Sequence, residues 1–295
     1  MAKRQDWIIG GAIGGSALFL IVLLMIAFSR GFDQTILSTE KGSAKIAVIE
    51  VKGPIFDARR TVEQLKQYQD DETIPAIVLR IESPGGGIVA SQEIYAEIQK
   101  TRRKGKKVVV SMGSVAASGG YYIATAADTI VANPGTITGS IGVIAELTNA
   151  EKLFQKIGLG FEVIKSGQYK DMGSPSRQLT DEERSLLQGV IDDSYDQFID
   201  AIIAERGIER GKLLKIADGR IMTGRQALEH RLVDVLGDYE DAIDLAAHMV
   251  GMKEKPQVVK EKKKRLNVLD LFFDGASDMV QGWFTRSMSL NYLMF

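Results

Sequence analysis

Two hydrophobic rhythms share this chain. Short β-branched apolar runs at residues 45–51, 76–81, 106–111, 128–132, 141–146 and 161–164 predict buried strands. Between them, apolar residues recur every three or four positions at 61–68, 89–103, 121–127 and 150–157, which predicts helices. Strands alternating with helices imply a mostly parallel sheet covered by helices, an α/β fold, with no internal repeat. From Thr180 the pattern becomes helical throughout. Thr180 and Glu183 have the spacing of a capping box opening a helix to 204, with further helices expected at 211–216, 223–230 and 239–252. Residues 253–265 hold seven basic and two acidic residues and read as a linker. Beyond it Leu266, Leu269, Phe272, Phe273 and Ala276 fall on one helical face. That pairing suits a membrane surface or a partner's groove, and equally a tail packed on its own domain.

Residues 7–29 carry no charge and would reach roughly 33 Å as a helix, enough to cross a bilayer core. The run is too long for an ordinary signal-peptide core and no Ala-x-Ala site follows, so an uncleaved anchor is expected. Lys3 and Arg4 on its flank place the N-terminus in the cytoplasm. The remainder then lies outside, as the extracytoplasmic part of a single-pass cell-membrane protein. The domains expected are residues 1–30 (flank and anchor), 31–43 (linker), 44–252 (folded domain) and 253–295 (basic linker and amphipathic tail).

Composition removes several chemistries. The chain has 295 residues, 45% of them hydrophobic, and a formal net charge of −1. It can bury a sizeable core, and a near-neutral balance gives no support to nucleic-acid binding. With no cysteine there is no thiol nucleophile, disulfide or Cys-ligated metal, and with two histidines, His230 and His248, a His-rich metal site is not expected.

The candidate chemistry centres on Ser118. It follows the 106–111 run and precedes Gly119 and Gly120, a strand-to-helix turn that lifts a hydroxyl out of the packing and aims free helix N–H groups at its target. Alone, the same residues describe a serine that merely caps a helix. A second glycine-rich turn, Gly85-Gly-Gly87, follows the 76–81 run. Turns at the carboxyl ends of parallel strands share one edge, so the amides of Gly85 and Gly119 could converge on one oxygen as an oxyanion hole. Phosphate cradling lacks both a Walker Lys-Ser/Thr pair and a Gly-x-Gly-x-x-Gly pattern. A serine nucleophile needs a base. Neither histidine has a convincing position, and a lysine serves once burial lowers its pKa from about 10.4, but composition does not choose among many lysines.

Five segments in one order narrow the choice: Glu-Ser-Pro-Gly-Gly-Gly at 82–87, Met-Gly-Ser-Val-Ala-Ala-Ser-Gly-Gly-Tyr-Tyr at 112–122, Thr-Gly-Ser-Ile-Gly-Val at 138–143, Lys-Ser-Gly-Gln-Tyr-Lys-Asp at 165–171 and Gly-Arg-Ile-Met-Thr-Gly-Arg at 219–225. Over residues 45–250 the chain resembles the signal peptide peptidase A family of membrane-anchored serine proteases. The resemblance implies a ClpP/crotonase-like fold, Ser118 as nucleophile, Lys170 as general base, Gly85 and Gly119 as the oxyanion hole, and Ser140 holding the lysine amine. It also implies apolar peptide substrates such as remnant signal peptides, no cofactor or metal, and a ring-shaped homo-oligomer whose serine and lysine come from neighbouring subunits. Where this chain has Arg231 the family usually has glycine, which questions the local turn. Asp171 would oppose its neighbour Lys170 if it pointed inward, so it is expected to point away. Rival readings are an acyl-CoA enzyme of the crotonase type and an inactive membrane scaffold.

Overall fold

The computed structural model describes residues 44–260 and 291–293. The expected anchor at 7–29, the linker at 31–43 and the tail from 261 to 290 lie outside the described residues. Among the described residues no helix is long and apolar enough to cross a membrane.

Eight strands form one sheet around a central long strand. In chain order the first elements are β1 (Lys45–Lys52), α1 (Arg59–Gln69), β2 (Ala76–Ser83), β3 (Gly85–Gly87) and α2 (Ile88–Arg103). Next come β4 (Lys107–Ala117), α3 (Gly119–Thr125), β5 (Thr129–Ala132), β6 (Ile137–Gly139) and α4 (Glu151–Lys156). The second half holds α5 (Asp181–Arg206), α6 (Arg210–Leu213), β7 (Ile221–Thr223), α7 (Gly224–Glu229), β8 (Val235–Leu236), α8 (Tyr239–Met249), β9 (Gln257–Lys260) and β10 (Asn291–Leu293). The sheet runs β7-β6-β4-β2-β1-β9, with β5 on β4 and β8 on β5. Every pairing in it is parallel except β6 with β7. β4 serves two neighbours in succession: Val109–Met112 pairs with β5 and Val115–Ala117 with β6.

Alternate residues of β1 and β2 face opposite cores, as the period of two requires. Ala47, Ile49, Ile77 and Leu79 join the larger core with α1, α2, α3 and α5, while Ile46, Val48, Ala76 and Val78 pack under α8. The capping box read at Thr180 forms: its side chain accepts from the Glu183 amide and Glu183 returns the bond.

Four expectations need correction. Residues 141–146 make no strand, because Gly139 (φ 76°) and Ser140 (φ 49°) turn the chain away from the sheet in succession. Residues 161–164 are exposed, with Ile164 95% accessible, and among the described residues no strand pairs with them. The part after 180 is not all helix, since β7 and β8 extend the sheet. The basic stretch after 253 is not only a linker, because Gln257–Lys260 pairs with β1.

The doubt over Arg231 resolves into strain. The turn after α7 forms, with the Leu232 amide bonded to the Ala227 carbonyl, and Arg231 takes φ 61°. A side chain costs about 1 kcal/mol in that region where glycine costs nothing. Arg231→Gly is therefore expected to raise the melting temperature by about 2–4 °C in thermal unfolding. A lower value would mean that the arginine side chain contributes more than the strain removes.

Candidate active site

The segment before Ser118 is pinned at every step. Thr136 and Thr138 donate their hydroxyls to the carbonyls of Gly113 and Ala116, each at 2.7 Å. The Glu82 carboxylate accepts from the amides of Ser114 (2.8 Å) and Val115 (3.2 Å), closing the irregular stretch where β2 and β4 shift register. After Ser118, all seven residues of α3 are buried. Tyr121 donates to the Leu232 carbonyl at 3.0 Å, and the Tyr122 ring lies with its centroid 5.0 Å from those of both Tyr95 (tilted) and Phe198 (edge-on).

Between these anchors Ser118 is held at φ 52°, ψ −117°, a conformation L-residues rarely adopt. Its amide donates to the Gly139 carbonyl and its carbonyl accepts from Tyr122, both at 2.8 Å. Such strain costs of order 1–3 kcal/mol and persists only where the surroundings over-determine it. Ser118 is fully buried, and among the described residues its Oγ has no hydrogen-bond partner. A buried hydroxyl without a partner is uncommon and calls for a reason.

The two glycine turns do meet. A Cβ built on Gly119 would fall 3.1 Å from the Gly86 nitrogen, 3.3 Å from the Gly85 Cα and 2.6 Å from Ser91 Oγ, so only glycine allows this approach. Gly119 opens α3, where the first amides have no intrahelical acceptor. The other turn is arranged differently from the expectation. The Gly85 amide donates to Ser83 Oγ at 3.1 Å, and the Gly87 amide to the Ile55 carbonyl at 2.8 Å. Ile55 also donates to the Gly85 carbonyl, so the Gly86 peptide groups point to the opposite edge. That edge is where β10 pairs antiparallel, Tyr292 opposite Gly86, and β10 also lies beside α3. Gly86 is thus a candidate donor that the motif reading missed; the Ser83 hydroxyl was the available signal.

Ser140 is buried, bonded through its amide to the Arg220 carbonyl, one residue beyond the carbonyl that holds the Ser118 amide. It lines a cavity of about 520 Å³ with Ile141, Val143, Ile191, Tyr195 and Ile221. Lys170 is exposed, on a turn closed by its own amide to the Gly167 carbonyl. The chain therefore gathers Ser118, Gly85, Gly86, Gly119 and Ser140, and among the described residues the Ser118 hydroxyl makes no bond to Lys170. His230 and His248 are both exposed.

The turn bearing Lys170 is tied down by ions. Asp171 binds Lys165 at 2.6 Å and Arg177 at 2.8 Å, and Arg177 also binds Glu183 at 2.5 Å. Asp171 is thus committed to Arg177 and Lys165. Arg177, with the Thr180 amide, pulls the Glu183 carboxyl down to about 2, and Arg177 and Lys165 hold Asp171 well below the usual carboxylate range. A lowered carboxyl stabilises the folded state above its unfolded pKa, and the contribution fades as pH falls through the folded value. The 165–177 segment should hold through pH 4–5 and loosen between there and about pH 2, read as hydrogen-exchange protection against pH. Loosening already complete at pH 5 would show that these ions do not hold it.

Residues 100–253 match Peptidase family S49, and residues 44–135 match the Clp protease family. A candidate protease of Synechocystis is 50% identical over 70% of this chain and 75% of its own length. A candidate signal peptide peptidase SppA of Enterococcus faecium is 36% identical over 83% of this chain and 80% of its own. Protease 4 of Salmonella typhi is 36% identical over 76% of this chain, which spans 37% of that longer protein. The mostly parallel α/β sheet agrees with a Clp-like fold.

Proposed function

This chain belongs to peptidase family S49 and is a serine peptidase, and on that premise we propose that Ser118 is its nucleophile and Lys170 of a neighbouring copy its general base. The observation that carries the reading is the buried, unpartnered Ser118 Oγ, held in a strained turn against the Gly85–Gly86 backbone.

The neutral amine of Lys170 takes the proton from Ser118 Oγ as the oxygen attacks a peptide carbonyl. Negative charge on the carbonyl oxygen rests on the amides of Gly119 and of the Gly85–Gly86 turn, with Gly86 the better placed of the two. The lysine, now charged, gives its proton to the leaving amine. A water then loses a proton to the lysine and attacks the acyl-serine ester; the C–Oγ bond breaks, the lysine returns the proton to Ser118 Oγ, and the acid is released. Ser140 orients the arriving amine. The substrate lies extended along β3, on the edge that pairs β10.

Two observations support a shared site. Within one protomer Ser118 Oγ has no partner, and the segment bearing Lys170 exposes Leu153, Ile157, Phe161, Val163 and Ile164, apolar surface that a second copy would cover. The uncharged run at 7–29 supports a membrane anchor with the peptidase domain outside the cytoplasm, where apolar signal-peptide remnants are the substrate class that fits.

Mixing tests the shared site directly. Ser118→Ala and Lys170→Ala, each inactive alone, are expected to regain peptide hydrolysis when co-assembled, because one copy still supplies the serine and its neighbour the lysine. A mixed assembly that stays inactive, with both variants folded and associated, would place the base elsewhere.

A further inference from the structure

We propose that Ser83 is a positioning residue of the oxyanion hole: its hydroxyl draws the Gly85 amide out of the site and so leaves the Gly86 amide to face the reacting carbonyl. The proposal rests on the reading of Ser118 as nucleophile.

Ser83 ends β2 and is fully buried. It touches both glycine turns. On one side its Oγ accepts the Gly85 amide at 3.1 Å, a side chain standing in for a backbone turn acceptor two residues back. On the other, a Cβ on Gly120 would come within 3.0 Å of the Ser83 carbonyl and 3.5 Å of its Cβ, so the first turn of α3 sits directly on it. One residue therefore sets the height of the helix that carries Gly119 and the orientation of the turn that carries Gly86.

The orientation matters because Gly85 is free to choose. It sits at φ +106°, and glycine samples positive and negative φ with similar ease. Proline at 84 and the Ile55 bridge fix the two ends of the turn, with Ile55 bonded to the Gly85 carbonyl and the Gly87 amide. What remains is the rotation of the Pro84–Gly85 peptide, and the Ser83 hydroxyl is its acceptor. Without that acceptor the Gly85 amide is buried and unsatisfied, and the Gly85 carbonyl, on the same peptide as the Gly86 N–H, keeps its bond to Ile55 but loses the Ser83 hydroxyl at 3.5 Å, so the Gly86 amide is free to tilt. The substrate's binding edge lies along the strand and changes little; the donor aimed at the transition-state oxygen is the part that moves.

The effect should therefore fall on kcat. A single oxyanion donor is typically worth about 10²–10³, and a misplaced one loses part of that. In the full chain Ser83→Ala is expected to lower kcat about 10- to 100-fold while KM changes less than about threefold. Phosphonylation of Ser118 by a fluorophosphonate should slow in parallel, since its oxygen occupies the same hole. Ser83→Cys keeps the volume and loses most of the acceptor strength, and should be slowed as well. Thr101→Val is the control: it removes another fully buried hydroxyl, bonded to the Glu97 carbonyl at 2.8 Å at the far end of α2, and should lower stability without touching kcat.

Ser83→Cys as fast as the wild type while the alanine variant is slow would make this a packing effect and overturn the assignment. So would a loss confined to KM, a kcat within threefold of wild type, or failure of both Ser83 variants to fold, which would mark the serine as structural only. A wild type that neither cleaves peptides nor labels at Ser118 removes the nucleophile reading itself, and Ser83 falls with it.

Discussion

Ser118→Ala is expected to cut kcat for peptide hydrolysis by about 10⁶, the scale seen when a serine peptidase loses its nucleophile. The residual rate should still exceed that of water by about 10³–10⁴, because the oxyanion donors and the binding edge remain. Two features of this protein make that variant clean. Among the described residues the removed hydroxyl has no hydrogen-bond partner, so none of them is left unsatisfied when it goes. Alanine also keeps the one side-chain carbon that the strained backbone already accommodates, so the turn at φ 52° is not relieved. Melting temperature should stay close to that of the wild type while activity vanishes. Retention of even a hundredth of the activity would move the nucleophile away from Ser118.

Gly119→Ala is expected to lower kcat by about 10³ by moving both donors at once. The added methyl would lie 2.6 Å from Ser91 Oγ, which is itself bonded to the Gly87 carbonyl at 3.0 Å, and 3.1 Å from the Gly86 nitrogen. Ser91 Oγ could rotate away only by giving up its bond to the Gly87 carbonyl, and the Gly86 nitrogen is backbone. The methyl therefore separates the two turns, and the space that closes is the hole itself. Steady-state kinetics with fluorophosphonate labelling checks it: both should fail together. A variant within threefold of wild type would mean that the turns do not form the hole.

How much of this could be read from residues alone depended on the range of the forces involved. The capping box at Thr180 and Glu183, the sharp turn at Ser118 and the strands β1, β2, β4 and β5 are local or strongly periodic, and they were legible. β9 and β10 were not. They are four and three residues long, one follows a basic stretch, and they exist only because β1 and β3 offer edges distant in sequence. The false strand at 141–146 has suitable hydrophobicity; two consecutive left-handed residues before it, one of them a serine, override the pattern. The motif led to Gly85 as a donor, and what it does not show is that the Gly85 amide is bonded to a hydroxyl two residues earlier. The relation of Ser118 to Lys170 was the least legible: Lys170 is exposed on its own turn, and among the described residues the Ser118 hydroxyl has no partner.

The edge that pairs β10 is made of three glycines. An edge without side chains reads no letters of the partner strand; it registers only that a peptide is extended and has an N–H and a carbonyl to exchange. Proline opposite Gly86 has no hydrogen to offer and should be refused there, and so should an N-methylated residue. A folded domain, whose peptide groups are already paired within it, has nothing to give. A substrate strand in the place of β10 would be sorted by conformation before composition, and what such an edge admits is whatever has already lost its fold.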